Sequence, residues 1–188
     1  DFFCTAQDLT KAFDSVSVEQ AVALWRRLGA APGLCAAVVS FYDKVERNFE
    51  FGGCNSKKVV RASHGLLQGC PFSPLLLAAI MTTWTKQGEV AAGVFVDDRT
   101  LWAEGPAAVQ KLRTALDKSA AFDKRFGLVL NPTKTQLAAS STAAGENLNA
   151  LRLEGQSEAA STVKLLGLVH NLEDSSAPTI CDDAVQRA

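Results

Sequence analysis

Two adjacent carboxylates, Asp97 and Asp98, stand between the apolar runs 93–96 and 100–102. Apolar and β-branched residues on both sides of a short polar break predict a β-hairpin with the two acids at or beside its turn. Like charges held on a tight, half-buried turn repel each other, so the arrangement is unfavourable unless a cation offsets them. Asp is also a common turn residue, and for these two positions alone a solvated loop is the more frequent explanation. Other residues must therefore decide whether this is a metal site.

A third carboxylate, Asp8, follows an apolar run that begins at Phe2 and predicts a buried strand. If this strand lies beside the hairpin, Asp8 and Asp97 converge at one edge of the sheet. Oxygen donors with no His or Cys among them suit Mg²⁺ or Mn²⁺. Waters and substrate phosphates would complete the octahedral geometry, which is the arrangement used in two-metal phosphoryl transfer. The acids therefore predict a metal-dependent phosphoryl-transfer site.

The segments around these acids predict an α+β domain. Ser17 and Gln20 form a capping-box pattern at the start of a helix. Ser73, followed by Pro74, is predicted to be the N-cap of another helix. Further helices are predicted after Pro32 and Pro106, further strands at 57–61, 128–130, 135–139 and 163–169, and a loop or β-excursion at 140–161. This order predicts a mainly antiparallel sheet backed by helices.

The composition is that of one folded domain. The 188 residues are 47% hydrophobic and 21% charged, which excludes an intrinsically disordered chain. A net charge of −1 excludes a bulk attraction to nucleic acid, so any polyanion would have to bind locally. No apolar stretch is long enough to span a membrane, and no targeting segment is visible. Without a targeting segment we expect an intracellular protein, with nucleus and cytoplasm not distinguished. The five cysteines are scattered and form no C-x-x-C pair, so we expect reduced thiols.

Four stretches of the chain, in order, resemble the sequence motifs of the reverse transcriptase palm, of the non-LTR retrotransposon and group II intron type. They are 8–14 (DLTKAFD), 65–74 (GLLQGCPFSP), 95–98 (FVDD) and 127–135 (GLVLNPTKT), with a weaker match at 165–168. The resemblance implies an α+β polymerase palm with a ferredoxin-like core, whose fingers and thumb are largely missing. It implies a palm with a partial fingers insert at 1–171, and a polar tail at 172–188 that leads toward an absent thumb.

The resemblance also assigns the catalytic groups. Asp8, Asp97 and Asp98 are implied to be the catalytic, metal-binding triad, with Asp8 and Asp97 as the principal ligands of two Mg²⁺ ions and Mn²⁺ as the alternative metal. Lys134 is implied to protonate the leaving pyrophosphate, and a cation near phosphates is a suitable acid. Phe95 departs from the family pattern, since it replaces the Tyr that is more usual before the acidic pair.

The substrate contacts are assigned in the same way. Phe13 is implied to lie under the incoming sugar and to exclude a 2′-hydroxyl, and Gln68 and Gly69 are implied to contact the nucleotide and the template. Arg99 adds a cation beside the metals, which could bind phosphate or lower the affinity for metal. The full set of implied contacts is Leu9, Phe13, Gln68, Gly69 and Arg99 for substrate, and Leu166 and Gly167 for the primer.

The implied function is that of an RNA-directed DNA polymerase fragment from a retroelement, which transfers nucleotides from dNTPs to a primer 3′-hydroxyl. Its partners would be an RNA template, a DNA primer, dNTPs and the remaining fingers, thumb and endonuclease regions of a polyprotein, with no membrane. We expect the isolated chain to be weak or inactive without those regions. The alternative is a catalytically inactive or domesticated relative that binds nucleic acid or a protein partner. An RNA-dependent RNA polymerase is disfavoured by Phe13 and by the loop at 65–74.

Overall fold

The computed structural model describes residues 1–48, 50–55, 59, 64–166 and 168–173 of the chain. In chain order the elements are β1 (Phe2–Gln7), α1 (Ala12–Ser15), α2 (Val18–Arg27), α3 (Pro32–Asp43), β2 (Glu50–Phe51), β3 (Cys54–Asn55), α4 (Phe72–Thr85), β4 (Ala91–Phe95), β5 (Asp98–Glu104), α5 (Ala108–Phe126), β6 (Gln136–Ala139), α6 (Thr142–Asn149), β7 (Thr162–Leu165) and β8 (Leu168–Asn171). None of the helices in these ranges has both the length and the apolar composition needed to cross a membrane. The strand predicted at 57–61 and the tail beyond 173 lie outside the described residues, except for Val59.

The central sheet has four strands in the order β4-β5-β1-β6, and every neighbouring pair is antiparallel. Along the chain β1 is followed by helices, the β4–β5 hairpin, α5 and β6, which is the ferredoxin-like βαββαβ order. In the middle of the sheet, Phe2 of β1 pairs with Glu104 of β5 and Gln7 pairs with Arg99. The expected α+β fold with a mainly antiparallel sheet is therefore confirmed.

One face of the sheet is covered by α4 and α5. The side chains of α4 are mostly apolar, and those of Leu76, Ile80 and Trp84 are buried. α5 is amphipathic and turns its apolar face, which includes Leu112, toward the sheet. It ends at Gly127, whose φ of +70° is the left-handed conformation that favours glycine after a helix. These two helices and the sheet face that they cover form most of the main core, which α2 and α3 extend.

The hairpin formed by β7 and β8 packs over the opposite face of the sheet. There Val163 joins a second, smaller apolar cluster with Cys4 and Ala138. The sequence predicts a single strand at 163–169, but the chain reverses at Leu166, where φ is +51°, and the two halves pair with each other. The reversal leaves a cavity between the hairpin and the sheet.

The local predictions at Ser73 and at 140–161 also differ from the structure. Helix α4 begins at Phe72, and Ser73 is not its N-cap, because the Ser73 hydroxyl donates instead to the carbonyl oxygen of Leu67 over 2.6 Å. The segment 140–161 contains α6 in place of a loop or β-excursion. Its N-cap is Ser141, whose hydroxyl accepts a hydrogen bond from an amide in the first turn. Short polar caps of this kind start a helix even in an Ala- and Ser-rich segment.

Candidate active site

Asp8 and Asp98 face each other at one end of the sheet. Gln7 and Arg99 are the last paired residues of β1 and β5, so the next step of the same register sets Asp8 opposite Asp98. Because successive side chains of a strand point to opposite faces, both carboxylates lie on the face that carries the β7–β8 hairpin. Both acids line the cavity there, which has a volume of about 490 Å³. We refer to them below as the facing pair.

Asp97 lies in the turn beside the facing pair. Phe95 and Asp98 are paired across the β4–β5 hairpin, and Val96 and Asp97 form the two-residue connection between them. Val96 has a φ of +59°, which is unfavourable for a β-branched residue. Backbone strain of this kind concentrates at functional sites. The acidic hairpin predicted from the sequence is therefore present, with Asp97 in its turn and Asp98 at the start of its second strand.

The charges at this end of the sheet are unbalanced. The pKa of the Asp98 carboxyl is raised, first by burial and then by the negative charges of Asp97 and Asp8, whereas Lys134 lowers it. Lys134 Nζ lies 3.7 Å from Asp8 Oδ2, and its side chain is largely exposed. An exposed ion pair of this length is weak in water. The remaining negative charge is of the kind that a divalent cation would offset.

Asp98→Asn should raise the thermal stability of the chain at pH 7. A folded-state pKa above the unfolded value means that ionised Asp98 opposes folding, and that this penalty disappears as the pH falls and the carboxyl is protonated. The gain in the free energy of unfolding should be at most about 1 kcal/mol, because the group is largely exposed to water. Thermal unfolding at pH 7 and at about pH 3, where Asp is neutral in the unfolded chain, measures it. A variant that is less stable than the native chain at pH 7 would contradict the expectation.

Lys134 is held near Asp8 by backbone hydrogen bonds. The Asn131 amide donates to the Asp8 carbonyl oxygen over 2.8 Å. The Thr135 amide and hydroxyl both donate to the Asn131 carbonyl oxygen, over 3.0 and 2.8 Å. The turn that carries Lys134 is thereby tied to the strand end that carries Asp8, and Lys134 lines the same cavity as the facing pair.

The loop predicted to bind the nucleotide is docked onto the segment that carries Phe13. The Leu66 amide donates to the Phe13 carbonyl oxygen over 2.7 Å. Gly65 has a φ of +97°, and a Cβ there would lie 3.2 Å from the Asp14 carbonyl oxygen, so this docking requires glycine. Phe13 is half-buried against the core and does not line the cavity of the facing pair.

Tyr42 holds the next part of that loop. Its hydroxyl accepts a hydrogen bond from the Leu67 amide (3.3 Å) and lies 2.9 Å from the Ser73 hydroxyl, which in turn donates to the Leu67 carbonyl oxygen. Gln68 and Gly69 follow directly and are exposed, but they do not line the cavity of the facing pair. The sequence did not single out Tyr42, since a tyrosine in an apolar helix is usually a core residue.

Arg99 points away from the candidate acids. Its side chain is fully buried on the helix face, where its two terminal nitrogens donate to the Asp123 carboxylate over 2.6 and 2.7 Å. The prediction that its guanidinium binds substrate is therefore wrong, because alternation along β5 sends the side chain next to Asp98 to the opposite face. The one available signal was that Asp123 shares the apolar face of α5 with Phe122 and Phe126, where an acid needs a partner.

The remaining predicted contacts divide between the core and the cavity. Leu9 is buried and its backbone forms a bridge with Leu130, so the structure does not bring the Leu9 side chain to a substrate. Leu166 is 59% exposed and lines the cavity of the facing pair. Gly167 lies outside the described residues. Leu166 is thus an accessible apolar residue in the same cavity as the facing pair.

The donor set at this end of the sheet fits a hard cation. The facing pair offers carboxylate oxygens, the ligands that Mg²⁺ prefers. Within the part of the chain that the structure describes, no group of three His, Cys, Asp or Glu residues is arranged as a preformed metal cluster. Mg²⁺ commonly takes one or two carboxylates and completes its shell with water and substrate phosphates. The facing pair with Asp97 in the adjoining turn meets that requirement, although it is not a closed cage.

A ferredoxin-like sheet with acids at the ends of its central strands is the architecture of a nucleic-acid polymerase palm. The chain belongs to the reverse transcriptase (RNA-dependent DNA polymerase) family, whose sequence model matches residues 3–170. It is 33% identical over 138 residues to the retrovirus-related Pol polyprotein from the type-2 retrotransposable element R2DM of Drosophila melanogaster, covering 68% of this chain and 13% of that polyprotein. It is 24% identical over 194 aligned positions to the Pol polyprotein from the type-1 retrotransposable element R2 of Popillia japonica, covering 92% of this chain and 31% of that protein. The family inferred from the motifs is confirmed.

The fold is also similar to that of a solved structure, apo telomerase from Candida tropicalis truncated from its C-terminal domain. The TM-score is 0.53, the sequence identity is 14%, and the match covers 91% of this chain and 34% of that chain. At this identity the likeness concerns the fold alone. The chain spans less than a third of the length of the two Pol polyproteins that it matches.

Proposed function

We propose that the chain is the palm of a retroelement's RNA-directed DNA polymerase, which extends a primer 3′-hydroxyl with dNTPs. The observation that carries the proposal is the facing pair, Asp8 and Asp98, with Asp97 in the adjoining turn and Lys134 Nζ 3.7 Å from Asp8. Membership of the reverse transcriptase family and similarity to two R2 polyproteins support it. Fold and family therefore agree with the chemistry that the acids can perform.

The three acids would hold two Mg²⁺ ions, with Mn²⁺ as the alternative. When bound, such ions activate the attacking hydroxyl and stabilise the leaving oxygen. The chain's own contribution is to fix the positions of these ligands. Asp8 follows the end of β1, Asp97 lies in the tight turn, and Asp98 is the first residue of β5. Lys134 would carry the proton that passes to the leaving pyrophosphate, since its ammonium group lies beside the acids and is exposed.

The docked loop and Phe13 would orient the incoming nucleotide. The hydrogen bond between Leu66 and Phe13 couples the two segments, so the sugar and the base pair would be held by one connected surface. Gln68 and Gly69 are exposed and would meet the nucleotide and the template. Leu166, with Gly167, would support the primer end. These assignments come from the family motifs and are proposals for this chain.

The proposed nucleic-acid partners are an RNA template and a DNA primer. A net charge of −1 gives this chain little general affinity for polyanions, so the grip on the duplex would come from the remaining fingers and thumb of the polyprotein. Residues 1–171 would form the palm with part of the fingers, and 172–188 would lead toward the thumb. On its own, the chain should extend primers weakly or not at all.

Primer extension by the longer polyprotein tests the function. With an RNA template and Mg²⁺, the polyprotein should incorporate dNTPs and should discriminate against NTPs. A chain that only binds nucleic acid or a protein would give no product, and Mg²⁺ titration followed by NMR would then leave the signals of Asp8, Asp97 and Asp98 unmoved. Efficient incorporation of NTPs in place of dNTPs would instead assign the chain to RNA synthesis.

Phe13→Ala should relax the discrimination against ribonucleotides. If the ring excludes the 2′-hydroxyl by contact, its removal should lower the ratio of kcat/KM for dCTP over CTP by about 100-fold, the size typical of selection by shape in an apolar pocket. Steady-state extension with each nucleotide measures the ratio. Phe41→Ala, which removes an exposed ring from α3, is the matched control and should leave the ratio unchanged. An unchanged ratio for Phe13→Ala would remove Phe13 from the proposed gate.

A further inference from the structure

A buried polar cluster lies beneath the candidate acids, on the helix face of the sheet. It joins two strands and two helices, and every member is less than a tenth exposed. Its members are Gln7, Trp84, Arg99, Ser119 and Asp123, which we call the anchor cluster. Buried charged residues are rare unless they are paired, so this cluster calls for an explanation.

The ion pair of the anchor cluster has fixed geometry. Arg99 donates from both terminal nitrogens to the two oxygens of Asp123, over 2.6 and 2.7 Å. Its guanidinium carbon also lies 4.6 Å from the centre of the Trp84 ring. The bidentate hydrogen bond and the ring contact together fix the position and the plane of the guanidinium.

The same cluster reaches the strand that carries Asp8. Trp84 Nε1 donates to Ser119 Oγ over 2.9 Å, and the Ser119 hydroxyl donates to Gln7 Oε1 over 3.4 Å. Ser119 and Asp123 are four residues apart on α5, so one face of that helix contacts both strands. The ion pair with Arg99 and the hydrogen bonds that lead to Gln7 are therefore both made by residues of α5.

The anchor cluster contains the strand neighbours of both facing acids. Gln7 precedes Asp8, Arg99 follows Asp98, and Gln7 and Arg99 are paired across β1 and β5. Because side chains alternate along a strand, residues fixed on the helix face set the backbone from which the acids project on the other face. The separation of the two carboxylates thus depends on how Gln7 and Arg99 are held.

We infer that Arg99 and Asp123 are positioning residues, whose buried ion pair holds Asp8 and Asp98 at the separation that metal binding needs. This rests on the proposed function, since it assumes that the acids bind metal. A role in stability alone does not account for the pair, because an apolar pair of similar volume is often as stable in a protein interior. Mutation of residues that orient metal ligands commonly lowers metal affinity or activity by about 10- to 100-fold.

The test uses the full chain with Arg99→Met/Asp123→Leu, which replaces the ion pair by apolar residues of similar size. Leu101→Val is the matched control, because Leu101 is buried on the same strand and face, one alternation further from the acids. Mn²⁺ binding followed by electron paramagnetic resonance reports the metal site. Amide hydrogen exchange at residues 6–8 and 98–100 reports the strand ends without metal. The double variant should bind Mn²⁺ about 10- to 100-fold more weakly and exchange faster at these amides, while the control should stay near the native chain.

Arg99→Lys keeps the charge and provides a second test if the double variant does not fold. Lys cannot make the two-pronged bond, so a folded Arg99→Lys should bind Mn²⁺ more weakly than the native chain, and less weakly than the double variant. Native Mn²⁺ affinity and native exchange in either folded variant would overturn the inference. Equal Mn²⁺ binding by the native chain and Asp8→Asn would overturn the proposed metal site instead. Amide hydrogen exchange alone would then test whether Arg99 and Asp123 position the strand ends. Faster exchange in the double variant would support that role, and unchanged exchange would overturn it.

Discussion

Asp8→Asn, introduced into the longer polyprotein, should lower RNA-templated DNA synthesis by at least about 1,000-fold. The amide keeps the size of the side chain and loses the negative charge that would hold the metal ions. Bound metal ions contribute several kcal/mol of charge stabilisation in the transition state, and each 1.36 kcal/mol is a factor of ten in rate. Initial rates of primer extension at saturating Mg²⁺ measure the loss, and undiminished synthesis would remove Asp8 from the active site.

Asp43→Asn is the matched control for that experiment. Asp43 is an exposed acid at the end of α3, so its neutralisation should leave the rate within about twofold and the melting temperature nearly unchanged. Asp97→Asn and Asp98→Asn belong to the same series. The resemblance to the family motif implies that Asp97 is the principal partner of Asp8, whereas the strand register sets Asp98 opposite Asp8. The larger of the two losses will show which acid dominates.

The framework of the site follows from local sequence patterns. Two apolar runs around Asp97 and Asp98 predict the hairpin, and the apolar run before Asp8 predicts a buried strand; both are present. Such predictions succeed because alternation and turn chemistry act between residues that are near in sequence. The convergence of Asp8 with the hairpin depends on strand order, which the local patterns left as a condition and the family motifs implied.

Long-range partners are what the local pattern could not supply. Arg99 was predicted to face substrate because it adjoins the acids, yet its partner Asp123 lies 24 residues further along the chain. Strand alternation requires Arg99 and Asp98 to point to opposite faces, but it does not say which face bears the helices. Leu166 shows a second limit, because a φ of +51° is unusual for leucine and the apolar run at 163–169 favours a single strand.

Asp123→Ala should be among the most destabilising single changes in this chain. It leaves the buried Arg99 guanidinium without its carboxylate, and breaking a buried ion pair from one side costs about 3–5 kcal/mol because an uncompensated charge remains. For a chain of this length that corresponds to a fall in melting temperature of about 6–20 °C. Thermal unfolding monitored by circular dichroism measures it.

Asp117→Ala removes an exposed acid from the same helix and should cost less than about 0.5 kcal/mol. The comparison separates the buried charge from a general effect of helix charge or propensity, since both variants place Ala in α5. If the two variants melt together, Arg99 does not depend on Asp123 in solution. If Asp123→Ala is strongly destabilised while Arg99→Met/Asp123→Leu is not, the cost lies in the unpaired charge itself, and the ion pair adds little net stability over an apolar pair.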